Sequence, residues 1–315
     1  MENKEKKTKS IFEKKFFVVL FASIAAFTWG FAFPLIKIGF KAFAITATDT
    51  GSKTLFAGVR FLLAGIVTLL IGKMLGHKVK IKQQKDVWWL LVFGLVNTAL
   101  HYFFFYMGLS KVSGARSAIL DSLGTFFVII LACICFRDEH MTKRKILGCL
   151  SGFCGVLLLN FGSDMTQGGF SLEGDGMLIC SGICMAFGGV MTRIVTQKVD
   201  TLMATGISLA FGGFVLILAG LLMGGSLHRI TYTGILVLLL LVLVSSVGFS
   251  LYNQLICYNP VGEISIFNAF IPIIGAVLSC LMLREPFYGR YIVAGLLVVL
   301  GVYIINVHNY KTDTL

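Results

Sequence analysis

The sequence predicts an all-α polytopic membrane protein, with ten transmembrane helices arranged as two inverted five-helix repeats. Three observations predict this fold class: the composition, ten long apolar runs, and an internal duplication. Apolar residues make up 57% of the 315 residues and charged residues only 13%, whereas soluble chains are about 25% charged. This composition excludes a soluble globular protein and a disordered chain, and the presence of only 4 prolines excludes a collagen-like chain.

Each of the ten apolar runs is long enough to be a spanning helix, which needs about 20 largely apolar residues. The predicted spans cover residues 16–38, 54–75, 87–109, 114–136, 144–162, 173–194, 202–224, 233–257, 262–283 and 288–308. The linkers between them are short, so we expect no folded domain outside the membrane. The first run is too long for the apolar part of a secretory signal and more runs follow it, so we expect no cleaved signal peptide.

The positions of Lys and Arg predict the orientation of the spans. The two tails and the linkers after spans 2, 4 and 6 carry 18 of the 27 Lys and Arg residues, and the opposite side carries eight. Arg60 is the only one well inside a predicted span, away from its ends. We therefore expect a protein of the cytoplasmic membrane with cytoplasmic tails at 1–15 and 309–315. Because the net charge of +12 is spread over short linkers, nucleic-acid binding is not predicted.

The second half of the chain repeats the first. LFAGVRFLLAGIVTLLIG aligns with MATGISLAFGGFVLILAG at an offset of 148 residues, and ILGCLSGFCGVLLLN aligns with IVAGLLVVLGVYIIN at an offset of 146. Glu139 then falls on Glu285. Each repeat, at 16–162 and 173–308, holds five spans, and an odd number forces opposite orientations in the membrane. Inverted repeats are typical of alternating-access carriers, whose substrate site lies near the middle of the membrane between the repeats.

Several motifs also resemble a known family. They are TWGFAFPLIKIG in span 1, FAGVRFLLAG in span 2, FRDE at the end of span 4 and NAFIPIIGAVLSCLMLREP in span 9, with a glycine-rich span after each of the last two. Their order is similar to that of the drug/metabolite transporter (DMT) superfamily, in its ten-span EamA-like branch, and the resemblance covers residues 16–308. It implies export or uptake of small metabolites such as amino acids, nucleosides or amphipathic drugs.

Three ionisable residues lie well inside predicted spans: Arg60 in span 2, His101 in span 3 and Asp121 in span 4. Because a charge at the bilayer centre costs about 2.5–3.5 kcal/mol on insertion scales, such residues are candidates for function. At about 1.5 Å per residue, all three lie about 5–6 Å outward of their span centres, at one depth. Two interpretations stay open. Arg60 and Asp121 form a static ion pair that packs the bundle, or they line a water-filled substrate cavity.

Aromatic and uncharged polar residues complete the candidate substrate site, with plain packing as the alternative for the aromatic ones. These further candidates are Trp29, Tyr102, Tyr106, Tyr252, Asn253 and Asn268. Pro34 in span 1 and Pro272 in span 9 are candidate hinges, because proline removes a helical hydrogen bond and bends the helix. Glu263 is interpreted as a helix-start carboxylate. The heptad-spaced glycines of spans 2 and 7 are predicted to be faces of close helix packing.

These patterns predict a secondary active or facilitative carrier for small organic metabolites. An amino acid or a similar amphipathic compound is favoured, because Arg60, Asp121 and aromatic walls suit a zwitterion with an apolar side chain. A multidrug or hydrophobic-cation exporter is the alternative substrate class. A channel or a membrane-embedded receptor is the alternative of another class.

The sequence predicts neither an enzyme nor an ATP-driven pump. It has no nucleotide-binding loop and no pair of intramembrane carboxylates. None of the eight cysteines forms a CxxC pair, so we expect no metal and no cofactor. The expected partners are the lipid bilayer and a small-molecule substrate, with protons as a candidate coupling ion through Asp121 or His101. Both a monomer and a homodimer are compatible with the sequence.

The charge distribution gives a testable topology. After removal of the native cysteines, a single cysteine introduced as Gly168→Cys should react with an impermeant thiol reagent added outside the cell. One introduced as Lys78→Cys should stay unlabelled until the cells are opened. The reverse labelling pattern would contradict cytoplasmic termini.

Overall fold

The computed structural model describes residues 11–79, 83–136, 140–160, 170–259, 264 and 266–306. In these ranges the regular structure is entirely helical. The helices are α1 (Lys15–Ala42), α2 (Thr50–Met74), α3 (Gln84–Lys111), α4 (Gly114–Cys135), α5 (Lys143–Asn160), α6 (Leu172–Thr196), α7 (Thr201–Leu222), α8 (Tyr232–Tyr258), α9 (Phe270–Leu283) and α10 (Gly289–Asn306).

The predicted fold class is confirmed. Seven of the described helices, α1 to α4 and α6 to α8, are long and apolar enough to cross a membrane, and α9 and α10 are shorter apolar helices. Large apolar side chains such as Leu70, Leu218 and Leu239 are exposed on the outer surface, where lipid would cover them. Span 9 differs most from its prediction, because a 3₁₀ turn at Ile266–Ala269 precedes the α-helix.

Short polar side chains fix where several helices begin. Asp49, Ser113 and Thr231 stand directly before α2, α4 and α8. Their side-chain oxygens accept hydrogen bonds from the backbone N–H three residues on, at 2.9, 3.1 and 3.0 Å. Such N-caps satisfy backbone donors that a helix leaves free at its start. Polar capping residues thus mark the boundaries between apolar runs.

The centre of the bundle is the antiparallel pair of α2 and α7, the second helix of each repeat. Gly58 packs against the backbone of Ile217, and Gly65 packs against the backbone of Ala210. A Cβ atom added to Gly65 or to Gly213 would overlap with backbone atoms of the facing helix. The prediction that these glycines form close-packing faces is confirmed, since only a residue without a side chain allows this approach.

The other helix contacts repeat the inverted relation. The fifth helices of the two repeats, α5 and α10, pack antiparallel, with Gly148 against the backbone of Gly301. The contact of α1 with α8 corresponds to the contact of α6 with α3. The contact of α1 with α9 corresponds in the same way to the contact of α6 with α4. These contacts of the first repeat thus have counterparts in the second, as inverted repeats require.

The bundle has two faces, which we name by the course of α1. The N-terminal face is the one where α1 begins, and the far face is the one where α1 ends. At the N-terminal face the side chain of Asn259, just after α8, donates a hydrogen bond to the carbonyl of Phe12 at 2.9 Å. The charge distribution predicts that the N-terminal face is cytoplasmic.

Two details of the sequence prediction need correction or completion. Arg60 is not the only basic residue within a helix, since Lys53, Arg116 and Arg193 also lie in helices, close to their ends. Long basic side chains can place their charge near the end of a helix while the aliphatic part packs inside. The tail at 309–315, Glu139 and Glu263 lie outside the described residues.

The two candidate hinges occupy different positions in their helices. Pro34 is buried in the middle of α1. Pro272 lies in the first turn of α9, where the missing N–H would have no partner within the helix. Movement at either proline stays a prediction.

The glycine contact between α2 and α7 predicts a strong effect of one methyl group. Gly65→Ala should lower the melting temperature of the purified protein, because overpacking of this kind costs about 1–3 kcal/mol. Gly295→Ala is the matched control, since the nearest atom to an added Cβ there is 3.9 Å away. That variant should keep or raise the melting temperature, because alanine favours a helix over glycine. Equal melting curves for both variants would refute the close contact.

Candidate functional site

A cavity of about 480 Å³ lies between the two repeats. Residues of α1, α2, α3, α4, α6, α8 and α9 line it, and its volume lies in the usual range of small-molecule sites, about 300–1,000 Å³. The lining includes residues at helix ends on the N-terminal face, among them Phe136, Gln197 and Cys257. Its lining reaches no far-face end of the described helices. The cavity therefore opens towards the N-terminal face.

The structure brings most of the predicted site residues together. Eight of the nine line the cavity: Trp29, Arg60, His101, Tyr102, Asp121, Tyr252, Asn253 and Asn268. The ninth, Tyr106, is fully buried behind the cavity wall and contacts the site through Arg60. The three ionisable residues that were predicted to lie at one depth therefore line one cavity. That they bind the substrate stays a prediction.

Arg60 is held by neutral groups. Its Nε donates to Ser245 Oγ at 2.9 Å and its Nη1 donates to Tyr106 Oη at 3.0 Å. The guanidinium carbon also lies 4.7 Å from the ring centre of Phe61. Among the described residues, no ion pair joins Arg60 to Asp121. The charge of Arg60 is thus oriented by hydroxyl groups and is not neutralised by a carboxylate.

Asp121 lies where the helical hydrogen bonding of α4 is interrupted, while the backbone of the next residue stays helical at φ −60° and ψ −20°. The helix consists of two segments, Gly114–Asp121 and Leu123–Cys135, which meet at Ser122. Ser122 Oγ donates to the carbonyl of Ile119 at 2.5 Å, which satisfies an acceptor at the end of the first segment. Within the described part of the chain, Asp121 Oδ1 has no hydrogen-bond partner. A carboxylate without a donor is costly in an apolar interior, so this group favours a cationic ligand or a proton.

A π-helical turn shapes the α3 side of the cavity. It covers Leu95–Leu100 and directly precedes His101. Such turns add a residue to one turn of a helix, redirect side chains and are frequent at functional sites. Asn97, inside the turn, lines the cavity together with His101. His101 stacks on Tyr102 with ring centres 4.4 Å apart.

Aromatic rings and neutral polar groups form the opposite wall. The Trp29 ring centre lies 5.3 Å from that of Phe249 and 4.9 Å from that of Tyr252, both in edge contacts. Asn268 Nδ2 donates to Tyr252 Oη at 2.6 Å, and Asn253 Nδ2 donates to the hydroxyl of a threonine of α7 at 2.8 Å. In the described residues Trp29 Nε1 has no acceptor. The second repeat thus contributes no charge to this wall.

Sequence reasoning missed several cavity residues. Asn97 was detectable as a single amide in an apolar run, and Ser245 as a hydroxyl at the centre of span 8. The polar residues at the cavity mouth, which are Thr192, Arg193, Thr196 and Gln197, were interpreted as the end of span 6 and the start of a linker. Their periodicity on one helix face indicates a lining role only once α6 is known to continue to Thr196.

The far face is closed around the start of α4. Glu285, in the linker between α9 and α10, accepts hydrogen bonds from the backbone N–H of Gly114 at 2.9 Å and of Ala115 at 3.3 Å. Its carboxylate also pairs with Lys37 Nζ of α1 at 3.2 Å. A carboxylate at this position is stabilised by the positive end of the helix dipole. The contact joins three helices of the bundle beyond the cavity.

A second ion pair closes the other side of the same segment. Arg116 Nε and Nη2 donate to the two carboxylate oxygens of Asp175 at 2.7 and 2.8 Å. Asp175 is 1% exposed and also accepts the backbone N–H of Ser171 at 2.8 Å. Two-pronged pairs of this kind are among the stronger hydrogen-bonded contacts in proteins. The cavity is therefore open at one face and sealed at the other.

Comparison with known proteins agrees with this architecture. Residues 16–161 and 172–307 each match the EamA-like transporter family. The chain is 26% identical over 288 residues to the uncharacterized transporter YvbV of Bacillus subtilis, with 88% of each chain covered. It is also 26% identical over 261 residues to the WAT1-related protein At3g02690, chloroplastic, of Arabidopsis thaliana, which covers 79% of this chain and 62% of that protein.

A solved crystal structure shares the fold. It superposes with a TM-score of 0.66 at 15% sequence identity, over 93% of this chain and 99% of the other. The two family matches cover both repeats, and they confirm the resemblance seen in the motifs. The chain belongs to the EamA-like transporter family of the DMT superfamily, and it is a multi-pass membrane transporter.

Proposed function

We propose that the protein is a secondary carrier of the cytoplasmic membrane that moves a small organic metabolite by alternating access, with both termini in the cytoplasm. The single observation behind this proposal is a charged cavity that opens at the N-terminal face and is sealed at the far face by ion pairs. A channel needs a continuous path, and the contacts of Glu285 and Asp175 interrupt it. The residues that line the cavity bind the substrate and carry out no chemical reaction on it.

The favoured substrate is an amino acid or a similar amphipathic zwitterion. Arg60 presents planar donors that match a carboxylate, and Asp121 presents an acceptor without a donor of its own. The rings of Trp29, Tyr102 and Phe249 supply an apolar surface between them. A hydrophobic cation is the second candidate, since it would use Asp121 and the aromatic rings through cation–π contacts and would not need Arg60.

Protons are the proposed coupling ion. Asp121 can neutralise its buried charge by binding either a substrate amine or a proton, so the two compete for one carboxylate. His101 is the second titratable group of the cavity, and its ordinary pKa lies near physiological pH. Competition at one site is a simple physical basis for exchange of a cationic group against a proton.

The charged residues can be tested by transport. In proteoliposomes the wild type should show radiotracer counterflow of an amino acid, which requires alternating access and which a pore does not give. Arg60→Gln and Asp121→Asn should each lower the rate at least about tenfold, the effect of losing one charged contact worth about 1.4 kcal/mol. Arg290→Gln and Asp86→Asn, outside the cavity, are matched controls that should retain counterflow.

The same assay separates the two substrate classes. Unchanged amino-acid counterflow in Arg60→Gln would refute carboxylate recognition by Arg60. Transport of a hydrophobic cation that survives Arg60→Gln but not Asp121→Asn would support the second candidate. Melting curves of each variant, measured in the same detergent, exclude loss of folding as the cause.

The proposed competition predicts the direction of a pH effect. A substrate amine binds to ionised Asp121, so affinity should be higher at pH 8 than at pH 6, where protons occupy the carboxylate more often. Asp121→Asn should remove this difference, whereas His101→Gln should keep it. If His101→Gln alone abolishes the difference between the two pH values, the coupling site is His101 and the assignment to Asp121 is wrong.

A further inference from the structure

We propose that the first segment of α4, Gly114–Asp121, is the gate of the far face and that it moves as one unit with the cavity carboxylate. This inference rests on the proposed alternating-access function and adds the moving element to it. Three observations support it: the interrupted hydrogen bonding after Asp121, the contacts at the start of the segment, and its packing on α9.

The helical hydrogen bonding is interrupted at Ser122, where the segment ends, and the backbone there keeps helical angles of φ −60° and ψ −20°. The segment has 8 residues, which at about 1.5 Å per residue give a rod about 12 Å long. One end of this rod is the far-face closure, and the other end is Asp121 in the cavity. A displacement at one end is therefore passed to the other without passing through the second segment of α4.

The start of the segment is held on two sides by acidic residues of the second repeat. Glu285 binds its first two backbone N–H groups, and Asp175 binds Arg116 with two hydrogen bonds. The segment itself belongs to the first repeat. These contacts cross the boundary between the repeats, which is the boundary that must open when a carrier exposes its cavity to the far face.

The packing of the segment allows it to separate from α9. Gly114 faces Ser279, and Ala118 faces Gly275, so small groups meet along this interface. Leu283 of α9 is the larger side chain at this interface, with its Cδ1 3.5 Å from a Cβ added at Gly114. The polar contacts of Glu285 and Asp175 therefore account for much of what holds the far face shut.

A third ion pair on the same face is not part of the gate. Lys111 Nζ lies 2.8 Å from Glu173 Oε2, and the Glu173 side chain is 75% exposed. Exposed pairs contribute little to stability. This pair joins α3 to α6 without touching the segment, so Glu173→Gln is a matched control for the loss of a carboxylate at the far face.

The gate can be tested by labelling of the cavity in a variant without native cysteines. Thr125→Cys places a thiol in the cavity wall. An impermeant thiol reagent should label it quickly from the N-terminal face, in inside-out vesicles, and slowly from the far face, in intact cells. Asp175→Asn and Glu285→Gln should each raise the far-face rate about tenfold, and Glu173→Gln should leave it unchanged.

The labelling experiment needs no substrate, so its result does not depend on the substrate proposal. Unchanged far-face rates in both Asp175→Asn and Glu285→Gln, or an equal rise in Glu173→Gln, would overturn the gate. Melting curves and size-exclusion profiles of all three variants show whether each is folded. If the wild type shows no counterflow but the labelling pattern holds, the gate stands and the proposed transport assay fails.

A covalent lock gives a second, independent readout. An added Cβ at Gly114 would lie 2.9 Å from Ser279 Cβ, so a disulfide, with Cβ atoms about 3.8 Å apart, needs only a small separation of the helices. The double variant Gly114→Cys/Ser279→Cys is first shown to carry out counterflow in the reduced state. Oxidation to the disulfide should then abolish counterflow, and a reductant should restore it. Full counterflow in the cross-linked protein would overturn the assignment of the segment as the gate.

Discussion

The backbone contact between α2 and α7 is the constraint on which the rest of the bundle depends. Its glycines bring the two helices so close that neither can rotate or slide without a clash. Both ends of the pair are also fixed, since Asp200, before α7, pairs with His77 at 2.7 Å, and Asp49, before α2, pairs with His228 at 3.0 Å. The same aspartates cap the two helices. The pair thus forms a rigid axis, and the other helices are arranged around it in inverted order.

Arg60 lies on α2, one helix of this axis, and points its charge into the cavity. The duplication by itself does not account for this charge, because the second repeat has Ser208 at the corresponding position. At the repeat-related position, Ser208 bonds to the hydroxyl of Thr98 at 3.2 Å, and Arg60 bonds to Ser245, one residue before the counterpart of Thr98. The polar contact between α2 or α7 and its neighbour is therefore kept in both repeats, and only the first repeat carries the charge. A symmetric fold has an asymmetric cavity: Arg60, His101 and Asp121 of the first repeat lie deep in it, and the second repeat contributes neutral amides and aromatic rings there and Arg193 at the mouth.

The far face is closed by polar contacts that also satisfy the free backbone donors at the start of a helix. The start of a helix within a membrane protein exposes N–H donors that need acceptors. At α4 those donors are satisfied by Glu285 of the other repeat. The contact that completes the helix is thus also a contact between the repeats. In a carrier, such a dual contact is well suited to be made in one state and released in another.

The sequence by itself determined the class, the number of spans, the duplication and the candidate residues. These follow from length, hydropathy and the positions of charges, because the bilayer requires about 20 apolar residues for each crossing and makes each buried charge conspicuous. Arg60, His101, Asp121, Trp29 and the polar residues of the second repeat were found in this way.

Only the tertiary structure decided which of these groups meet and how. Tyr106 and Ser245 hold Arg60 through contacts between helices far apart in the chain, and periodicity within one helix carries no signal of such contacts. The π-helical turn of α3 and the interrupted hydrogen bonding at Ser122 are features of the folded chain, and Asn97 and Asp121 lie at them. The opening of the cavity at one face is a property of the whole bundle, since it depends on the relative positions of both repeats.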